Sequence, residues 1–203
     1  MKLGKMVSVA VTALGLTAGG ASAATFDLAF LMDESGSIAS SDFTAAMNSL
    51  ADALETSLAN NPSDTYNVKV ISFASGASLT ASASIGPNSS VATIKTSLTN
   101  DIRAETYSGG ATCYSCAFNL LGASTGAAGI INMMTDGEPT AGTTSLTGLQ
   151  AQLAGVRSTG GWDSLSFEAV NNFTNPPDSN FLADLAFDTA GAGLQPIITD
   201  PND

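Results

Sequence analysis

From Phe26 onward, short apolar runs alternate with stretches of helical period, and this alternation constrains the fold more than any other feature of the chain. The run Phe26 to Met32, broken only by Asp27, ends abruptly in Asp33-Glu34-Ser35-Gly36-Ser37, as a buried strand entering a polar loop does. Phe43, Met47, Leu50, Leu54 and Leu58 then recur at intervals of three or four, which predicts an amphipathic helix capped by Ser40 or Ser41 and ended by Asn60-Asn61-Pro62. Tyr66 to Phe73 reads as a second strand, and Ala77 to Ile85 alternates strictly. With only Ser75-Gly76 and their neighbours between them, the two are expected to form an antiparallel hairpin. A second helix follows a Ser89 or Ser90 cap, with Val91, Ile94, Leu98 and Ile102 on one face. Ser108-Gly109-Gly110 leads into a third around Ala117, Leu120 and Leu121, and Gly129 to Thr135 is another buried strand. Beyond the turn Asp136-Gly137-Glu138-Pro139, a helix with Leu146, Leu149, Leu153 and Val156 precedes a strand from Leu165 to Val170. Phe181, Leu182, Leu185 and Ala186 mark one further helix, and Leu194 to Thr199 a last strand. Strands alternating with helices predict a doubly wound α/β domain, its mostly parallel sheet covered on both faces and edged by one antiparallel strand at Ala77 to Ile85. Ser166 and Glu168 make the strand Leu165 to Val170 more polar than a central parallel strand is expected to be.

The segment before this pattern has a different character. Lys2 and Lys5 precede an apolar run from Met6 to Thr17, then Gly19, Gly20 and Ala21-Ser22-Ala23, which reads as a secretory signal peptide over residues 1–23. The run is shorter than the roughly 20 residues a spanning helix requires. Residues 24–203 are therefore expected to form one exported domain, secreted, periplasmic or at the cell surface, without stable membrane insertion. Two of the six basic residues lie in the leader, so Lys69, Lys95, Arg103 and Arg157 stand against all 18 acids. Such a surface disfavours nucleic acid and attracts cations. The chain has no histidine, which excludes Ser-His-Asp hydrolysis, Cys-His catalysis and histidine-ligated zinc together. Cys113 and Cys116 are the only cysteines; a short-range disulfide is the default in an exported protein, with free thiols or a redox role as alternatives.

Three loops are placed by this reading at the carboxyl ends of strands, the edge where open α/β sheets build ligand sites: Asp33 to Ser37, Ser108 to Thr112, and Asp136 to Pro139. In the first, Asp33, Ser35 and Ser37 occupy alternate positions, so a curling loop can aim a carboxylate and two hydroxyls inward, all hard oxygen ligands. Singly, Ser35 and Ser37 could cap a helix and Asp136-Gly137 could make a turn.

Taken together, Asp33-x-Ser35-x-Ser37, Gly109-Gly110-Ala111-Thr112 and Met134-Thr135-Asp136-Gly137 resemble, in order, the three loops of the metal-ion-dependent adhesion site of von Willebrand factor type A domains. The resemblance implies a six-stranded, Rossmann-like three-layer sandwich with strand order 3-2-1-4-5-6. It implies a metal held by the hydroxyls of Ser35, Ser37 and Thr112, with Asp33 and Asp136 acting directly or through water, and Glu34 and Glu138 at the rim. Magnesium or manganese suits six oxygens, and calcium suits looser loops. It also implies a binding role without catalysis: the cation, incompletely neutralised, takes a carboxylate from a protein partner. A monomer is expected. The competing expectations are an export module whose metal only ties loops together, and a metal-dependent hydrolase, for which only Glu34 or Glu138 could serve as base. The family ordinarily adds a closing helix after the last strand, whereas here Asp200-Pro201-Asn202-Asp203 follows at once, so that helix or a sorting tail is expected to be missing.

Overall fold

The computed structural model describes residues 23–170, 179–188 and 197–199. The expected signal peptide, apart from Ala23, and the expected tail 200–203 lie outside these residues, as do Leu194 to Pro196 of the last expected strand.

The elements are β1 (Thr25–Asp33), α1 (Ser40–Leu58), β2 (Thr65–Phe73), β3 (Ala77–Ile85), α2 (Val91–Ile94), a π-helical turn (Lys95–Thr99), α3 (Asn100–Ala104), α4 (Tyr114–Leu120), β4 (Ala128–Thr135), α5 (Leu146–Ser158), β5 (Ser164–Val170), α6 (Ser179–Leu185), β6 (Phe187–Asp188) and β7 (Ile197–Thr199). They build one sheet in the order β3-β2-β1-β4-β5-β6, with β7 also paired to β5. Strand β1 runs parallel to both neighbours, with Phe26 opposite Tyr66 and Ala128 and Met32 opposite Ser72 and Met134. Strands β4, β5 and β7 continue the parallel set, while β3 and β6 are antiparallel.

The central strand explains itself. Side chains alternate across a sheet, so Phe26, Leu28, Phe30 and Met32 enter one core and Ala29 and Leu31 the other. The first core is closed by Phe43, Met47, Leu50 and Leu54 of α1 with Ile94, Leu98 and Ile102. The second holds Phe73, Tyr114, Phe118, Met133, Leu149, Leu153 and Phe167 beneath α4, α5 and α6. Each such side chain, fully buried, contributes about 1.5–3 kcal/mol, which is why a continuous apolar run marks a strand covered on both faces. Trp162 is buried and its Nε1 donates to the Gly122 carbonyl at 2.9 Å, a packing and loop-anchoring role.

Several local expectations are corrected. Helix α1 is not capped by Ser40 or Ser41: Ala39 takes the cap position, and its carbonyl accepts from the amides of Asp42 and Phe43. The second expected helix is divided into α2, the π turn and α3; Ser90 caps it as expected, accepting from Thr93 N at 3.2 Å. Within the wide turn Thr99 donates to Glu55 of α1, which also pairs with Arg103 at 2.6 Å, so a cross-helix polar cluster shapes the irregularity. Leu120, one of the three residues around which the third helix is expected, is exposed. The outer edge of β5 carries two short strands where one was expected: β6 pairs with Ser164 and Leu165, and β7 with Glu168 to Val170.

At the amino ends of the parallel strands Asp27 is buried and satisfied. Its carboxylate accepts from Asn67 Nδ2 at 2.7 Å, Ser124 Oγ at 2.9 Å and Gly126 N at 2.8 Å, as well as from Thr125 N. Burial opposes its ionisation, but these donors win and hold the carboxyl below its usual range.

Candidate functional site

The opposite edge of the sheet gathers the residues singled out from the sequence. Strands β1 and β4 are neighbours, so Asp33, at the end of one, and Asp136, just past the end of the other, leave the sheet side by side. Asp33 Oδ1 accepts from Ser35 N at 2.8 Å, which curls the loop back, and Ser35 Oγ then lies 3.1 Å from Ser37 Oγ. Ser37 Oγ donates to Asp136 Oδ1 at 2.7 Å. Four of the five expected ligands are thus linked in series, Asp33 to Ser35 through the Ser35 amide and Ser35, Ser37 and Asp136 through their side-chain oxygens.

Thr112 is brought to the same edge through its main chain. Its amide donates to Thr140 Oγ1 at 2.9 Å, and its carbonyl accepts from Thr140 N at 2.8 Å and Ala141 N at 3.0 Å, which ties the second loop to the third. The second loop does not leave a strand, contrary to expectation; it joins α3 to α4. It reaches the sheet edge by long-range bonds: Gly36 N to the Gly110 carbonyl at 2.8 Å, Tyr107 Oη to the Ser35 carbonyl at 3.0 Å, and Ser108 N to Glu34 Oε2 at 3.0 Å. Gly110 is required here, with φ +113° and the position of an added Cβ only 2.5 Å from Ser75 Oγ.

Of the two acids expected at the rim, Glu138 is exposed and Glu34 is buried, holding Ser108 rather than facing outward. Spacing alone did not reveal a second supporting set. Thr135 Oγ1 donates to Asp33 Oδ2 at 2.7 Å, and the Tyr114 hydroxyl lies 3.1 Å from Thr135 Oγ1 while donating to the Gly137 carbonyl. Tyr114 is buried at the start of α4, between all three loops, and only its position immediately after Thr112-Cys113 could have drawn notice. The expected disulfide is present, joining Cys113 to Cys116.

Burial pushes the Asp33 carboxyl up to about 6, and the neighbouring Asp136 charge adds to the rise against the pull of the Thr135 and Ser35 donors. Among the described residues no three His, Cys, Asp or Glu side chains cluster to hold a metal. Any cation here would therefore rest on hydroxyls together with two carboxylates, an oxygen-only donor set. That set fits a hard divalent ion, whose charge would offset the cost of burying Asp33 beside Asp136.

Comparison with known proteins places this geometry in context. The family model for the von Willebrand factor type A domain matches residues 28–139. No curated protein matches the sequence. Among solved structures, proximal thread matrix protein 1 from the mussel byssus is similar with a TM-score of 0.62 and 19% identity over 87% of this chain. A further form of that protein, described as having a zinc-occupied MIDAS motif, gives a TM-score of 0.63 at 19% identity. A von Willebrand factor type A structure from Catenulispora acidiphila gives 0.54 at 16% identity over 81% of this chain and 37% of its own. The chain spans only 42% of the length of the mussel protein. With the family model covering more than half of the sequence and the solved neighbours sharing the sheet, the chain belongs to the von Willebrand factor type A domain family.

Proposed function

We propose that this domain binds a partner protein outside the cytoplasm through a divalent cation held by Asp33, Ser35, Ser37, Thr112 and Asp136. The observation that carries the reading is the hydrogen-bonded series from Asp33 through the Ser35 amide, and on through the Ser35 and Ser37 hydroxyls to Asp136, at the sheet edge where this fold class takes its ligands. Two carboxylates so close are costly to ionise together, and a cation between them removes that cost. The all-oxygen set suits magnesium or manganese, with calcium in longer bonds. The mussel matrix protein with zinc in its motif supports a metal in this fold, and zinc joins the ions to be compared.

A cation bound chiefly through neutral hydroxyls retains affinity for an anion, so the ligand of this reading is an acidic side chain of the partner. No catalytic step is proposed. Location outside the cytoplasm is supported by the Cys113–Cys116 disulfide and by the byssal origin of the structural neighbour. Among the described residues no helix is long and apolar enough to cross a membrane. The test is capture of partners from the cell surface of origin with magnesium present and then stripped by chelator, using the parent chain, Asp33→Ala and Asp136→Ala. Capture is expected only with metal and the parent chain; undiminished capture in chelator and by both variants overturns the reading. A metal-dependent rise in melting temperature with no metal-dependent partner would instead support a cation that only ties loops together.

A further inference from the structure

We infer that the Cys113–Cys116 disulfide sets the cation affinity of the site by fixing Thr112, and that its reduction through the Cys116 sulfur weakens cation binding. The inference rests on the metal-site reading above and concerns how that site is controlled.

The disulfide begins at the residue next to Thr112 and ends in the first turn of α4. Cys113 takes the cap position of that helix, its sulfur accepting from Cys116 N at 3.3 Å. Two separate segments converge on this short bridge. From the β2–β3 turn, Ser75 Oγ accepts from Ala111 N at 2.9 Å, and the Ser75 carbonyl lies 4.0 Å from Cys116 Sγ. From the loop after β4, Thr140 and Ala141 hold the Thr112 carbonyl, and Thr143 N donates to Ser115 Oγ at 2.9 Å. Between them Gly142 packs on the bridge so closely that an added Cβ would stand 2.6 Å from Cys113 Sγ. The bridge is thus the surface against which the loops carrying Thr112 and Asp136 are both seated.

The two sulfurs differ in access: Cys113 is fully buried, whereas Cys116 is partly exposed. An external dithiol reductant therefore meets Cys116. Its thiolate bonds to Cys116 Sγ, the Cys113–Cys116 bond breaks, and the electron pair leaves on Cys113 Sγ, which takes a proton from solvent. The second thiol of the reductant then displaces Cys116 as a thiol, and the reductant ends as its own disulfide. The two thiols so formed must separate to non-bonded contact. Gly142 leaves Cys113 little room, so the backbone from Thr112 to Cys116 takes up the displacement. A bridge closing so short a loop constrains the unfolded chain weakly, so its loss acts locally and spares the sheet. Outer partners of metal ligands change metal affinity about 10- to 100-fold when removed, and the weaker end of that range is expected here.

The experiment is calorimetric titration of the full chain with magnesium in five forms: oxidised, reduced with dithiothreitol, carrying Cys113→Ser with Cys116→Ser, and carrying Thr112→Ala both oxidised and reduced. Mass measurement confirms reduction, and far-UV circular dichroism follows the fold. The expected result is a magnesium Kd raised about tenfold by reduction and by the double serine variant, with the dichroism unchanged. In Thr112→Ala reduction is expected to change nothing further, since the bridge acts through that residue. Equal Kd values in the oxidised and reduced parent overturn the inference and leave the metal site standing. So does a redox effect that survives in Thr112→Ala, or a loss of the folded dichroism on reduction. Absence of magnesium binding by the oxidised parent overturns the metal-site reading itself.

Discussion

Replacing Glu168 by Gln is expected to make the domain clearly more stable at pH 8 and only slightly so at pH 5. Glu168 lies on β5 between Met134 and Ile197 in the sheet, and it is 6% exposed. It faces a small cavity lined by Phe30, Met32, Ala46, Leu50, Asn132 and Met134. Among the described residues its Oε1 has no hydrogen-bond partner. Burial raises its carboxyl from 4.5 to about 7, against the pull of a bond to Asn132. A gap of about 2.5 units at 1.36 kcal/mol per unit is about 3 kcal/mol. The sign follows from the direction of the shift. Below about 4.5 the group is protonated in both states and costs nothing; as pH rises to 7 the unfolded chain gives up the proton first, so stability falls, and the full cost is present above 7. Glutamine keeps the shape and does not ionise. The stability of Glu168→Gln minus that of the parent is therefore expected to climb by about 2.5 kcal/mol between pH 5 and pH 8. For a domain of this size that is about 5–10 °C in Tm. Thermal unfolding in chelator, followed by circular dichroism at both pH values, measures it; a difference that stays constant with pH refutes the reasoning.

Magnesium at about 100 times its Kd is expected to stabilise the parent by about 2.7 kcal/mol and Asp136→Ala not at all, read as melting temperature against magnesium concentration. Gly110→Ala puts a Cβ into a left-handed backbone and against Ser75, and urea unfolding is expected to show a loss of about 1–3 kcal/mol together with weaker magnesium binding. Tyr114→Phe strips the hydroxyl that donates to the Gly137 carbonyl beside Thr135, with an expected cost of about 1–3 kcal/mol in urea and no change in the far-UV spectrum.

What could be read in the chain was what one local rule decides. The apolar β1, broken only by Asp27, announces burial on both faces, the spacing of Phe43, Met47, Leu50, Leu54 and Leu58 announces α1, and the strict alternation of Ala77 to Ile85 announces an edge strand. The motifs of the candidate site were legible as residues that belong together, since four of the five meet in one bonded series. What escaped depended on partners far along the sequence. The second loop was assigned to a strand end because nothing local shows that Glu34 and Gly36 reach across to Ser108 and Gly110. The π turn answers to Glu55, about 40 residues earlier. Strand β6 is two residues long, below the length at which any pattern can declare itself.

The pairing of β1 with β4 acts as a ruler for the site. From Phe26 opposite Ala128 to Met32 opposite Met134 the match is kept without a gap, so the relative heights of Asp33 and Asp136 are fixed by every rung below them. A slip of one residue would shift one carboxylate by about 3.3 Å and turn its side chain to the other face. The clamp that Asp27 makes on Ser124, Thr125 and Gly126 sits at the foot of this ruler, about 20 Å of strand away from the loops it helps to level.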